Sequence, residues 1–101
     1  MRIVERNWRR AAGELDLVAV DVDGTCVFCE VRSRTGESSG DPLETVNARK
    51  QAQVVRVARN YLAEASLPAT AYRFDVIAVT FFDDGREPRL VHIQAAFESS
   101  V

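Results

Sequence analysis

The chain is 101 residues long, 47% hydrophobic and 28% charged, with a formal net charge of −2. That length holds one domain, residues 1–101, whose core can fold without staples, and no apolar run approaches the ~20 residues that cross a bilayer. A net negative charge also excludes a protein that coats nucleic acid by bulk electrostatics. The opening MRIVERNWRR carries no apolar stretch of signal-peptide type, so the expected address is the cytoplasm, with no membrane partner.

Residues 2–8 and 14–22 read as strands, and Asp23-Gly24 is a turn signal leading into a third strand over 25–33. The two cysteines, Cys26 and Cys29, fall in that third strand three residues apart, where alternation points them to opposite faces and forbids a disulfide between them. They read as buried small apolar residues. The polar stretch SRTGESSGD over 33–41 is a loop. Asp41-Pro42-Leu43-Glu44 then spells a helix start, with an aspartate cap, proline at the first position and glutamate closing a capping box. The helix is expected over 42–65, with Val46, Val54, Val57, Ala58, Tyr61, Leu62 and Ala65 forming its apolar stripe. After Pro68, YRFDVIAVTFF is a nearly continuous apolar strand, and Asp84-Gly85 turns the chain into a last strand around 90–94.

This order, β-β-β-α-β-β, predicts an α/β fold of the mixed kind: a mixed sheet of about five strands with one long helix packed on it. Apolar residues on both faces of the 14–22 strand require cover on both sides of the sheet. One helix supplies one face. The other calls for a further helix, the C-terminal tail or a second copy of the chain, so a homodimer is one expected partner.

The candidate chemistry lies on the second and third strands. Gly13-Glu14-Leu15-Asp16 precedes Glu30-Val31-Arg32 by one hairpin, and two acidic side chains on neighbouring strands with a cation two residues on can hold a hard divalent metal beside a phosphate. The hairpin loop decides whether they meet. A two-residue loop at Asp23-Gly24 would point Asp16 away from Glu30, a three-residue loop ending at Thr25 would set them diagonal, and a five-residue loop would set them opposite. The competing reading is a cross-strand ion pair between Asp16 and Arg32, worth ~0.2–1 kcal/mol.

ERNWR at 5–9, GELDLVAVD at 13–21, VFCEVRSR at 27–34, KQAQVVRVARNYL at 50–62, RFDVIAV at 73–79 and HIQAAF at 92–97 resemble the YraN family of small bacterial proteins. That family is similar in turn to Holliday-junction resolvases and other restriction-endonuclease-like nucleases. The resemblance implies a restriction-endonuclease-like core in which the PD-(D/E)xK-type motif falls on Asp16, Glu30 and position 32. It also implies that Asp16, Glu30 and the main-chain carbonyl of Val31 hold Mg²⁺ or Mn²⁺, that Arg32 takes transition-state charge, and that Glu14 is an outer ligand or base. Arg32 stands where the family usually has lysine, and arginine stays charged where lysine can titrate. Family members usually begin with a further helix bearing a glutamate, and this chain is expected to start after it.

The partner expected from the resemblance is nucleic acid, DNA above all, in branched or structured form. Arg9, Arg10, Arg34, Lys50, Gln51 and Gln53 are the candidate contacts to it. Trp8 reads as core rather than a base-stacking platform, Asp75 as a strand-start pairing residue, and His92 as a satisfied strand residue. Two functions follow: a metal-dependent nuclease, or a nuclease-fold module that binds nucleic acid or a protein without efficient cleavage.

Overall fold

A computed structural model describes residues 1–36, 42–65 and 71–98. The elements are β1 (Arg2–Arg10), β2 (Gly13–Val20), β3 (Cys26–Thr35), a 3-10 turn (Pro42–Thr45), α1 (Ala48–Ala65), β4 (Tyr72–Phe81) and β5 (Arg89–Phe97). One five-stranded sheet runs in the order β1-β2-β3-β4-β5. Neighbours are antiparallel except β3 and β4, which are parallel because α1 carries the chain back between them. This is the expected mixed architecture.

The helix begins later than its sequence signals suggest. Residues 42–45 make only the 3-10 turn, and the expected cap at Asp41 lies outside the described residues. The working cap is Asn47, whose Oδ1 accepts the Lys50 N–H at 3.0 Å while its carbonyl accepts the Gln51 N–H at 2.9 Å. A side-chain cap satisfies one of the backbone donors that every helix start exposes.

Val54, Val57, Ala58 and Tyr61 turn from α1 onto one face of the sheet, against Trp8, Leu15, Val18, Cys26, Phe28 and Phe74. Tyr61 stands edge-on to Trp8, with centroids 5.2 Å apart, and to Phe28 at 6.0 Å. Edge-to-face rings add to the free energy of burying their area. Trp8 is thus core, as expected. Gly13, at φ 144°, lets the turn end of β2 pass close under the helix, where an added Cβ would lie 3.0 Å from Gln53 Nε2 and 3.1 Å from Val57.

The other face has a smaller buried centre of Ala19, Val27 and Cys29, flanked by Leu17 and Ile77. Cys26 and Cys29 therefore lie in different clusters on opposite faces, both as free thiols that burial pushes up to about 11. Ile3, Val31 and Leu90 are exposed.

Candidate active site at a fork in the sheet

The β2–β3 turn is tighter than a five-residue loop and odd in length. Asp21 N–H donates to the Thr25 carbonyl and Gly24 N–H to the Asp21 carbonyl, each at 2.9 Å, which leaves Val22, Asp23 and Gly24 as a three-residue loop. Gly24 takes the left-handed position at φ 88° that such loops assign to glycine. The loop sits one residue earlier than the three-residue option expected from sequence. That shift changes the register so that Val20 faces Cys26 and Leu17 faces Cys29. Continued one step past its last pair, this register sets Asp16 level with Glu30, the arrangement expected of the five-residue option, since five residues, 21–25, separate the paired Val20 and Cys26.

The ladder between β2 and β3 ends at Leu17 and Cys29, although both strands continue. From there β2 stays with β1, through Leu15 opposite Trp8, while β3 stays with β4. The sheet forks at this point. Alternation breaks there too, since Leu15 packs in the helix-side core and Leu17 in the cluster on the other face. Asn7, on β1 between Arg6 (opposite Leu17) and Trp8 (opposite Leu15), absorbs the same switch with φ 51°. Asparagine is among the few residues that enter that region at modest cost.

Asp16 sits in the fork, where its Oδ2 accepts the Val31 N–H at 2.8 Å. A side chain thus takes a backbone donor that β2 leaves free, and its like charge reaches Glu30. Glu30, only 3% exposed, belongs to the helix side. Its Oε1 lies 3.1 Å from Lys50 Nζ and 3.8 Å from Arg32 Nη2. Burial and then the charge of Asp16 push the Glu30 carboxyl above its ordinary value, against the pull of Lys50 and Arg32. By formal count Lys50 and Arg32 balance the two carboxylates, so it is burial first that disfavours the charged form of Glu30. Arg32 also keeps a spare donor, because its buried Nε has no hydrogen-bond partner among the described residues.

The open side of the fork is a pocket of about 290 Å³ lined by Arg6, Asn7, Asp16, Leu17 and Val31. Arg6, absent from the expected contacts, is the cation that lines it.

The remaining expected residues have other engagements. Glu14 is ion-paired with Arg9. Arg10 binds Glu64 at 2.9 Å and stacks over Trp8 at 4.0 Å. Arg34 Nε donates to the Thr80 hydroxyl at 3.3 Å, Gln51 Nε2 to the Val46 carbonyl at 2.9 Å, and Gln53 packs beside Gly13. Lys50, expected at a nucleic-acid surface, instead reaches a buried carboxylate. The misplaced helix start hid this: counted from Asp41 it lies more than two turns in, but from the Asn47 cap it is in the first turn, over the fork.

A second cluster has ligand-like spacing. Cys29, Asp75 and His92 bring a sulfur, an oxygen and a nitrogen within 4.8 Å of one another. Asp75 is already filled, by Arg73 Nε at 3.0 Å, Arg73 Nη2 at 3.2 Å, the Ala95 N–H at 3.0 Å and His92 Nε2 at 2.7 Å. Two carboxylate oxygens offer about four acceptor sites, so none is left for a metal. A register shift opposite Asp75, with Ala95 at φ 49°, aims that N–H inward. Asp75 is therefore the pairing residue its sequence position suggested, and His92 is satisfied by it.

Against known proteins, the model of the "Uncharacterised protein family UPF0102" matches residues 1–79. A UPF0102 protein of Pelotomaculum thermopropionicum is 46% identical over 96 residues, 95% of this chain and 79% of that protein. One from Desulforamulus reducens is 43% identical over 95 residues, covering 93% and 78%. Another, from Anaeromyxobacter dehalogenans, is 46% identical over 97 residues, covering 96% and 70%. These matches bear out the family resemblance carried by the motifs.

Proposed function

This chain belongs to the UPF0102 family, and from that premise we propose that it is a nucleic-acid-binding protein with a metal-dependent phosphodiesterase site at the fork, acting on structured DNA. The observation that carries the reading is Glu30: a buried acid, level with a second acid, held above its ordinary pKa although Lys50 and Arg32 lie beside it. Such a site has the hard oxygen donors that suit Mg²⁺ or Mn²⁺.

Asp16 and Glu30 would hold the metal, which when bound supplies Lewis-acid polarisation of a phosphodiester and a lowered pKa for attacking water. Asp16 keeps its orientation through the Val31 N–H, and in the metal-free protein Glu30 is paired with Lys50. Arg32, its side chain 32% exposed, would offer its guanidinium end to phosphate oxygens, a role that arginine fills without titrating. On the open side, Arg6 lines the pocket through which a backbone would approach Asp16. The alternative, a binding module without turnover, keeps Arg6 and Arg32 useful but gives the buried Glu30 beside the half-buried Asp16 no task.

The test incubates the protein with Mg²⁺ or Mn²⁺ and single-stranded, duplex, flap and four-way DNA. Cleavage that falls at least ~100-fold in Asp16→Asn is expected, from the usual cost of disturbing a metal site. Arg6→Ala should weaken binding and flatten its salt dependence by about one phosphate contact. Salt-sensitive binding without cleavage under either metal would select the binding-module reading, and no binding at all would remove both.

A further inference from the structure

Lys50 is tied to the site in a way that its role as a surface cation does not explain. It stands in the first turn of an 18-residue helix whose start is fixed by Asn47, and its side chain is 30% exposed. Its Nζ nevertheless sits 3.1 Å from Oε1 of a carboxylate that is 4% exposed, the same oxygen that Arg32 approaches at 3.8 Å. A lysine is a compact charge on a flexible stem, so it can neutralise a buried acid in one rotamer and return to water in another at little cost. Arg32, with its Nε buried, has less freedom to leave.

We propose that Lys50 is the resident counter-cation of the carboxylate pair, competing with a divalent metal for Glu30, so that metal entry displaces its ammonium from that oxygen. This rests on the reading of Asp16 and Glu30 as metal ligands. With Arg32 already beside Oε1 and its Nε buried, a divalent metal would be the third cation on one buried carboxylate, where like charges repel with little water to screen them. The ammonium therefore leaves as the metal arrives, toward the phosphate side where its charge is useful. The pairing keeps Glu30 from standing as a bare buried acid in metal-free protein, and it sets a threshold below which the site stays closed to metal.

The experiment is Mn²⁺ titration by calorimetry on the full chain at pH 7.5, with the wild type, Lys50→Met, Lys50→Gln, Lys50→Arg, Glu30→Gln and the double variant Lys50→Met with Glu30→Gln. Circular dichroism checks that each is folded. Removing the ammonium should tighten Mn²⁺ binding ~10-fold, the effect of losing a nearby like charge at intermediate dielectric. Lys50→Arg should stay near wild type, and adding Glu30→Gln should erase the gain. If folded Lys50→Met and Lys50→Gln bind Mn²⁺ no more tightly than wild type while Glu30→Gln alone weakens it, the competition is wrong and the metal site stands. Mn²⁺ binding that ignores Glu30→Gln in every background overturns the metal site and the competition together.

Discussion

Replacing Asp75 by alanine should cost the fold ~3–5 kcal/mol, the toll of breaking a buried ion pair from one side. The side chain is fully buried and takes four hydrogen bonds from three residues on β4 and β5. Removing it strands two donors of Arg73, the Ala95 N–H and the His92 ring. The lower end of the range is expected, because Arg73 keeps its 2.8 Å bond to Asp21 and some contact with solvent. For a domain of this size even that is a large share of the total. Urea unfolding at pH 7 reads the loss. Burial alone would raise the Asp75 carboxyl, but Arg73, Ala95 and His92 outweigh it and hold it below the ordinary aspartate value. An acid depressed on folding stabilises the native state above its unfolded pKa, and the contribution disappears as pH falls through the folded one. Wild type should therefore lose stability faster than Asp75→Ala between about pH 4 and the acid limit, given an unfolded aspartate near ~3.9. An alanine variant within ~1 kcal/mol of wild type would show that the network is ornamental.

Glu30→Gln should move stability and activity in opposite directions. The Glu30 carboxyl is raised on folding by burial and by Asp16, so the native state binds its proton more tightly than the unfolded chain does. Its ionisation then costs stability: the cost is absent below the ordinary glutamate range and complete above the raised value. Glutamine removes that cost at neutral pH while keeping the shape, and Lys50 is exposed enough to find water. The variant should melt higher than wild type in the absence of metal, lose Mn²⁺-dependent stabilisation, and drop cleavage on the order of 100-fold or more. A Glu30→Gln protein that melts lower at pH 7, with unchanged activity, would place Glu30 among structural ion pairs and take the nuclease reading with it. The expected exchange of stability for function is familiar where a site concentrates like charge.

The order of elements was legible because its signals are local. Strand-like apolar runs and the Asp23-Gly24 turn marked β1, β2 and β3, the nearly continuous apolar run over 72–82 marked β4, and Asp84-Gly85 marked the last turn. The helix start was not, since Asp41-Pro42 carries stronger capping chemistry than Asn47; tertiary packing, with Val46 only 2% exposed, decided for the later position. The pairing of Asp16 with Glu30 could be reduced to a question of loop parity but not answered, because the Val22–Gly24 turn is set by the Asp21 and Thr25 hydrogen bond outside the Asp-Gly pair. Three features of the site left no trace in periodicity: the fork, the left-handed Asn7 and the reach of Lys50 to Glu30. Each depends on strands that part company, which no pattern within a single strand records.

The Val31 amide gives the site a built-in spectroscopic reporter. Its proton lies in a charge-assisted bond to Asp16 Oδ2 at 2.8 Å rather than in the β2 ladder, so its resonance position depends on how much negative charge that oxygen carries. Arrival of diamagnetic Mg²⁺ would draw that charge away and move this amide upfield, while the amides of the Val18–Phe28 rung stay near their places. A two-dimensional amide spectrum recorded along a Mg²⁺ titration would then report occupancy of the fork from one backbone nucleus, without substrate, turnover or an engineered label.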